Sequence, residues 1–318
     1  MKYIKKLSSK LLLALGVIIL SVIVWQVIVS KQVIGDQEKI RLVQSIEQIQ
    51  ELLKNRELIT YHSIPCQPFS KIKLKGVNAR ILKGNEYGIY VSDYNKRCIK
   101  VVQEENEPLI NLLNEKFYLD TPVFIFMPED PQFVYLTKEE NNYEWTSCSI
   151  NGFKGENTLL SCDGGISFIV TDMPYINANQ KDNELNIIVF GLDSTLRMDN
   201  VQIKVNAENS KFTLQDRISN HINVDIQLQE SKISEMSINP QSKLGTLSLK
   251  GTLRNMDNGF YDDYKNKIFI NYPGRCDSLL IQLTNNFTDV QQLFLSKDLS
   301  GKFEDINCSE NIIITRKE

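Results

Sequence analysis

The six cysteines, Cys66, Cys98, Cys148, Cys162, Cys276 and Cys308, carry the chain's most reactive side chains, and their even number permits disulfides. Pairing in sequence order joins Cys66 to Cys98, Cys148 to Cys162 and Cys276 to Cys308, one of fifteen connectivities. Six buried thiols are the alternative. No Cys-x-x-Cys spacing occurs and the imidazoles are limited to His62 and His221, so no zinc site is expected. Carboxylates cluster at Glu139-Glu140 and at Asp262-Asp263. Neighbours on a strand point to opposite faces, so Asp262 and Asp263 read as a solvated turn. Asp257, Asn258 and Gly259, with that pair, offer hard oxygens to calcium but lack the spacing and closing Glu of an EF-hand. Tyr87, Tyr90 and Tyr94 read as surface aromatics of a sheet, with a carbohydrate platform as the competing role.

No Gly-x-Ser-x-Gly elbow, His-Glu-x-x-His or phosphate loop is present. No catalytic, cofactor or metal residue is therefore assigned, and no cofactor is expected. The chain has 318 residues, 36 Lys plus Arg against 39 Asp plus Glu, and 42% hydrophobic residues, which excludes disordered acidic, collagen-like and polytopic membrane classes.

One segment departs from this average. Residues 11–29, LLLALGVIILSVIVWQVIV, carry no charge, and 19 residues at the helical rise span roughly 28 Å, near the thickness of a hydrocarbon core. Lys2, Lys5, Lys6 and Lys10 precede the run and no acid does, so the reading is an uncleaved span with residues 1–10 in the cytoplasm. A cleaved signal peptide is the competitor, disfavoured by the long apolar run and the missing small-x-small site. The large domain is then extracytoplasmic, at a bacterial inner membrane. Removing residues 1–31 takes away five lysines and no acid, leaving 31 basic against 39 acidic residues, net −8, which argues against nucleic acid as a partner.

Residues 30–60 form a membrane-proximal segment. Within it 36–58, without Gly or Pro, space Leu42, Ile46, Ile49 and Leu53 as an amphipathic helix. It packs on the chain's own domain or makes a dimeric stalk; a homodimer through 36–58 stays open. From 61 to 183 the pattern predicts a β domain. Its strands are KIKLK at 71–75, a bend at Gly76, then 77–83, 87–93 and 98–102, VFIFM at 123–127 and FVYLT at 133–137. LINLLNEK at 109–116 reads as a brief helix or loop, and 138–165 as an irregular insertion with short strands, a small β excursion tied by one disulfide.

From 184 to 318 the strand-sized segments repeat. Leu196, Phe212, Ile233 and Leu253, taken as equivalent, step by 16, 21 and 20 residues, the size of one coil of a β-solenoid. The fold class is mainly β, ending in a solenoid-like stack, with a β-sandwich as the alternative.

The stretch from Pro68 to Val102 resembles the opening of the GIN-domain family, the adhesin-type head domains of bacterial envelope proteins. Phe69, Ile72, Gly76, Ile81, Gly84, Tyr87 and Val91 stand at its landmark places, and Val123 to Pro128 is similar to its strand running into proline. The six cysteines and the insertion depart from it. The resemblance implies a β fold, no catalytic residues and an envelope or adhesive role. The expectation is a membrane-anchored envelope protein whose exported domain binds an envelope protein or a glycan. A polysaccharide-active solenoid enzyme and a dimeric membrane-tethered signalling or structural partner are the alternatives.

Overall fold

Segments in which every second residue is apolar become strands because alternate side chains of an extended chain point to opposite sides. The computed structural model of this protein contains twenty-one such strands among its described residues. Those residues are 18–24, 27–28, 30–32, 34–40, 46–93, 95–103, 108–114, 121–137, 146–163, 166–181, 184–189, 200–216, 222–240, 243–253, 267–285 and 291–317. Two units are distinguished, Met1–His62 and Ser63–Glu318.

In the first unit, helix α1 (Ile46–Lys54) buries Ile46, Ile49 and Leu53 along one stripe, with Glu47 in its first turn and Lys54 in its last, each suited to the helix dipole. Arg56, at φ 57°, ends the helix in the left-handed conformation, and the Glu57 N–H closes back on the Leu52 carbonyl at 2.9 Å. The buried Asp36 carboxylate accepts from the Thr60 N–H at 2.9 Å and its hydroxyl at 2.6 Å. Residues 18–24 are helical and expose Ile18, Ile19, Leu20, Val22, Ile23 and Val24. Among the described residues no helix is long and apolar enough to cross a membrane. Residues 11–17, 25, 26 and 29 of the span read from the sequence lie outside the described residues.

The second unit is mainly β: β1 (Tyr61–Ile64, shared with the first), β2 (Lys71–Lys75), β3 (Ala79–Lys83), β4 (Gly88–Ser92), β5 (Ile99–Gln103), β6 (Leu109–Asn114), β7 (Val123–Met127), β8 (Phe133–Thr137), β9 (Thr146–Asn151), β10 (Leu159–Asp163) and β11 (Ile166–Thr171). There follow β12 (Tyr175–Lys181), β13 (Glu184–Val189), β14 (Asn200–Asp216), β15 (Ile222–Asn239), β16 (Leu244–Leu253), β17 (Lys267–Ile270), β18 (Arg275–Asn285), β19 (Gln291–Ser296), β20 (Ser300–Cys308) and β21 (Ile312–Lys317). From β8 onward each turn of chain lays two strand segments beside those of the next turn, always in parallel. β8, β10, β12, β14, β15, β16, β18 and β20 succeed one another in one ladder. β9, β11, β13, the second half of β14, that of β15, then β17, β19 and β21 form the other.

Parallel register keeps like residues in columns, and the apolar columns face inward. Ile72, Val134, Leu160 and Ala178 align on one ladder, and Ile203, Ile226, Leu249 and Ile281 on another column of it. Ile81, Ile150 and Val170 align on the second ladder. All of these are buried in one core. Strands before and after the 183/184 boundary pair with one another, β11 with β13 and β12 with β14.

The order of turns in space is not their order in the chain. β2 pairs with both β6 and β8, and β3 with both β7 and β9. The turn at 71–83 therefore lies between the later turns at 109–127 and 133–151. Antiparallel β5 on β6 and β4 on β7 cover the end of the stack there.

The described part of 138–165, residues 146–163, carries two short strands, β9 and β10, that pair into the two ladders. Two expectations are corrected. Leu109–Asn114 is not a helix or loop but strand β6, its Ile110 and Leu112 turned inward; pairing with β2 on one side and β5 on the other, not the apolar pattern of LINLLN, makes it a strand. The spacing equivalence also fails: Phe212 pairs with Leu185 and Met236, and Ser231, not Ile233, pairs with Leu253. Leu196 lies outside the described residues. Bulges in β14 and β15 shift register within one turn, which a count of residues does not register.

Candidate functional site

Lysines alternate with Ile72 and Leu74 in β2, so burying the apolar pair turns Lys71, Lys73 and Lys75 to the outside together. On the neighbouring strand the same alternation turns out Phe133, Tyr135 and Thr137, directly opposite the three lysines in order. On the other side stand Leu109, Asn111 and Leu113. Beyond them, antiparallel β5 adds Lys100 opposite Leu113 and Val102 opposite Asn111.

The result is a face on which amines flank aromatic rings. Phe133 and Tyr135 stack at 5.8 Å between centroids, 13° from parallel, and the Lys73 ammonium lies 5.6 Å from the Tyr135 ring centre. Lys71 and Lys100 are exposed; Lys73, Lys75, Phe133 and Tyr135 are partly so. The Lys73 contact is a cation–π pair of modest strength that also lets its stem cover apolar surface. Down the stack the column through Lys71 and Phe133 continues as Leu159 and then as Asn177, Lys204, Gln227, Lys250, Gln282 and Asn307, a row of amides and amines below one apolar residue. Asp225 and Asp305 stand in the column beside it, where Gln227 donates to Asp225 at 3.1 Å and Gln282 to Asp305 at 2.8 Å.

A second aromatic pair lies on the opposite ladder. Phe269 and Phe294 stack at 4.9 Å, and the Lys317 ammonium sits 4.3 Å from the first ring centre and 5.4 Å from the second.

The residues singled out by type behave differently. Tyr87 meets Phe69 edge-on at 5.2 Å and Tyr90 meets Phe126 at 5.8 Å and 88°, so both rings are used in packing rather than laid out as a platform. Tyr94, Glu139, Glu140, Asp257, Asn258, Gly259, Asp262, Asp263 and His221 lie outside the described residues. Among the described residues no cluster of three metal-ligating side chains occurs.

All six cysteines are free thiols. Cys148 and Cys162 are buried in adjacent turns, and burial, with the Cys162 thiol nearby, pushes Cys148 well above the ordinary thiol range. Burial also raises Cys66, Cys276 and Cys308. Cys308 stands opposite Leu283, seven residues along the strand from Cys276, or roughly 23 Å, too far for a disulfide between them.

Sequence reading missed Lys71, Lys73, Phe133 and Tyr135 as a group. Both strands were legible, but 62 residues separate Lys71 from Phe133, and only the ladder brings them together.

No family model matches the chain, and no curated protein matches it. Solved structures similar to it include two candidate adhesins. One is a candidate adhesin of Bacteroides fragilis NCTC 9343, 10% identical, with a TM-score of 0.30. The other is a candidate adhesin of Parabacteroides merdae ATCC 43184, 10% identical, with a TM-score of 0.40. Each match covers 81% of this chain and 95% of the other.

Proposed function

We propose that this protein is an adhesin-like binding module of the bacterial envelope, a β-solenoid tethered to the inner membrane by residues 11–29 and displayed outside the cytoplasm. One observation carries the binding reading. Parallel stacking aligns the outward side chains of successive turns into columns, and one such surface sets Lys71, Lys73 and Lys75 against the stacked rings of Phe133 and Tyr135. A regular, rigid face of this kind recognises an extended ligand by many weak contacts and needs no catalytic geometry. The solenoid reading is supported by the two parallel ladders. The uncharged run and the exposed apolar side chains of 18–24 support the tether.

The test is a glycan-array and pull-down screen of the full chain in detergent, with turnover measured on every glycan bound. Saturable binding without cleavage is the expected result. Cleavage of a bound polysaccharide would establish the enzyme reading instead, and recovery of membrane proteins alone would favour the tethered signalling or structural partner. Protease added to spheroplasts should digest the large domain; protection of that domain would reverse the orientation.

A further inference from the structure

Resting on the binding reading above, we infer that the ligand of the β2–β8 face is a carboxylate-bearing polysaccharide, held by Lys71, Lys73 and Lys75 and stacked on Phe133 and Tyr135. Three observations select this class. The lysines repeat every second residue, roughly 7 Å apart along the strand, so they present separated positive points rather than one dense cluster. No ion pair to any of the three occurs among the described residues, so their charge is not already neutralised there. The two rings beside them stack on each other, 13° from parallel, and stay partly exposed, so aromatic surface next to the amines is open to the C–H groups of sugar rings.

The rest of the surface narrows the choice. Below Leu159 the same column sets the amides Asn177, Gln227, Gln282 and Asn307, with Lys204 and Lys250 interspersed, as donors and acceptors suited to hydroxyls and carboxylates, across turns about 4.8 Å apart. A ligand that is all charge is poorly served there, because Asp225 and Asp305 stand in the neighbouring column and the chain as a whole carries −3. A neutral glycan leaves the lysines without a counter-charge. A chain of sugars with carboxylates at intervals satisfies amines, rings and amides together.

The experiment is calorimetric titration of the full chain in detergent with polygalacturonate, dextran and polyphosphate, at low and high salt. Wild type is expected to bind polygalacturonate, more weakly as salt rises, and to bind dextran less well. The Lys71→Gln, Lys73→Gln, Lys75→Gln triple variant should bind polygalacturonate about tenfold more weakly, from three exposed charge contacts. Tyr135→Leu should weaken it severalfold at either salt concentration, and Lys302→Gln, at the far end of the stack, should change nothing. Circular dichroism and melting of each variant separate loss of the face from loss of the fold. The Lys-to-Arg triple, which keeps charge and stem, should retain most of the affinity and guards against a misfolded glutamine variant.

Wild-type binding of polygalacturonate that the glutamine triple leaves unchanged would overturn the site while leaving the binding module standing. Equal binding of dextran, or of polyphosphate with no effect of Tyr135→Leu, would overturn the ligand class alone. Binding to none of the three overturns this inference, and the glycan array then decides the broader reading separately.

Discussion

The Asp130 carboxylate accepts a hydrogen bond from the Gly155 N–H at 2.7 Å while its other oxygen lies 3.4 Å from the Lys83 ammonium. Asp130 stands in the connection from β7 to β8 that carries the chain past the turn at 71–83. Lys83 ends that turn, and Gly155 lies between β9 and β10. One side chain thus ties three parts of the stack where their spatial order departs from chain order.

Replacing it tests this role. Asp130→Ala should lower unfolding free energy by about 1–3 kcal/mol, because the partly buried Gly155 N–H loses a charged acceptor. Lys83→Ala, from a partly exposed pair, should cost about 0–1 kcal/mol. Urea midpoints of the two variants check the ranking, and equal midpoints would remove Asp130 as the tie.

Gly251 has φ 142°, and a Cβ there would stand 2.1 Å from the Leu228 carbonyl oxygen of the adjacent turn. Both the backbone and the contact exclude a side chain. Gly251→Ala should therefore destabilise by about 2 kcal/mol or more, forcing β15 and β16 apart. A thermal melt coincident with wild type would refute the close approach.

Alkaline stability should follow Cys148. An unfolded thiol ionises near pH 8.5, whereas burial, and then Cys162, keeps this thiol protonated in the fold to higher pH. Between those pH values the folded state binds the extra proton, so its stability falls as pH rises, by up to about 1.4 kcal/mol per pH unit. Under reducing conditions the stability lost between pH 8 and pH 10 should be smaller in Cys148→Ala than in wild type. Parallel losses in the two proteins would contradict the assignment.

The inserted position of the first turn gives a kinetic expectation. Strands β2 and β3 are paired on both sides, so amide exchange across 71–83 should be as slow as across 133–137 and 146–151. Strand β21 pairs on one side with β19, leaves Ile313 and Ile314 exposed, and should exchange faster. Fast exchange at 71–83 in mass-spectrometric mapping would place that turn at an edge and overturn the order of the stack.

Alternation is a property of neighbouring residues, and for that reason the amino-acid sequence alone determined the strands KIKLK, VFIFM and FVYLT, the bend at Gly76, where φ is 63°, and the mainly β class. Lys71, Lys73 and Lys75 were bound to share one side of β2 for the same reason. What lies beside a strand is a different matter. Parallel pairing joins residues tens of positions apart, and its register depends on bulges such as those in β14 and on which turn fits against which. Only the tertiary structure therefore placed β2 between β6 and β8, made a strand of Leu109–Asn114, separated Cys276 from Cys308, and set Phe133 and Tyr135 against the lysines. Side-chain direction follows from the local backbone, whereas adjacency follows from burying every inward column in one shared core.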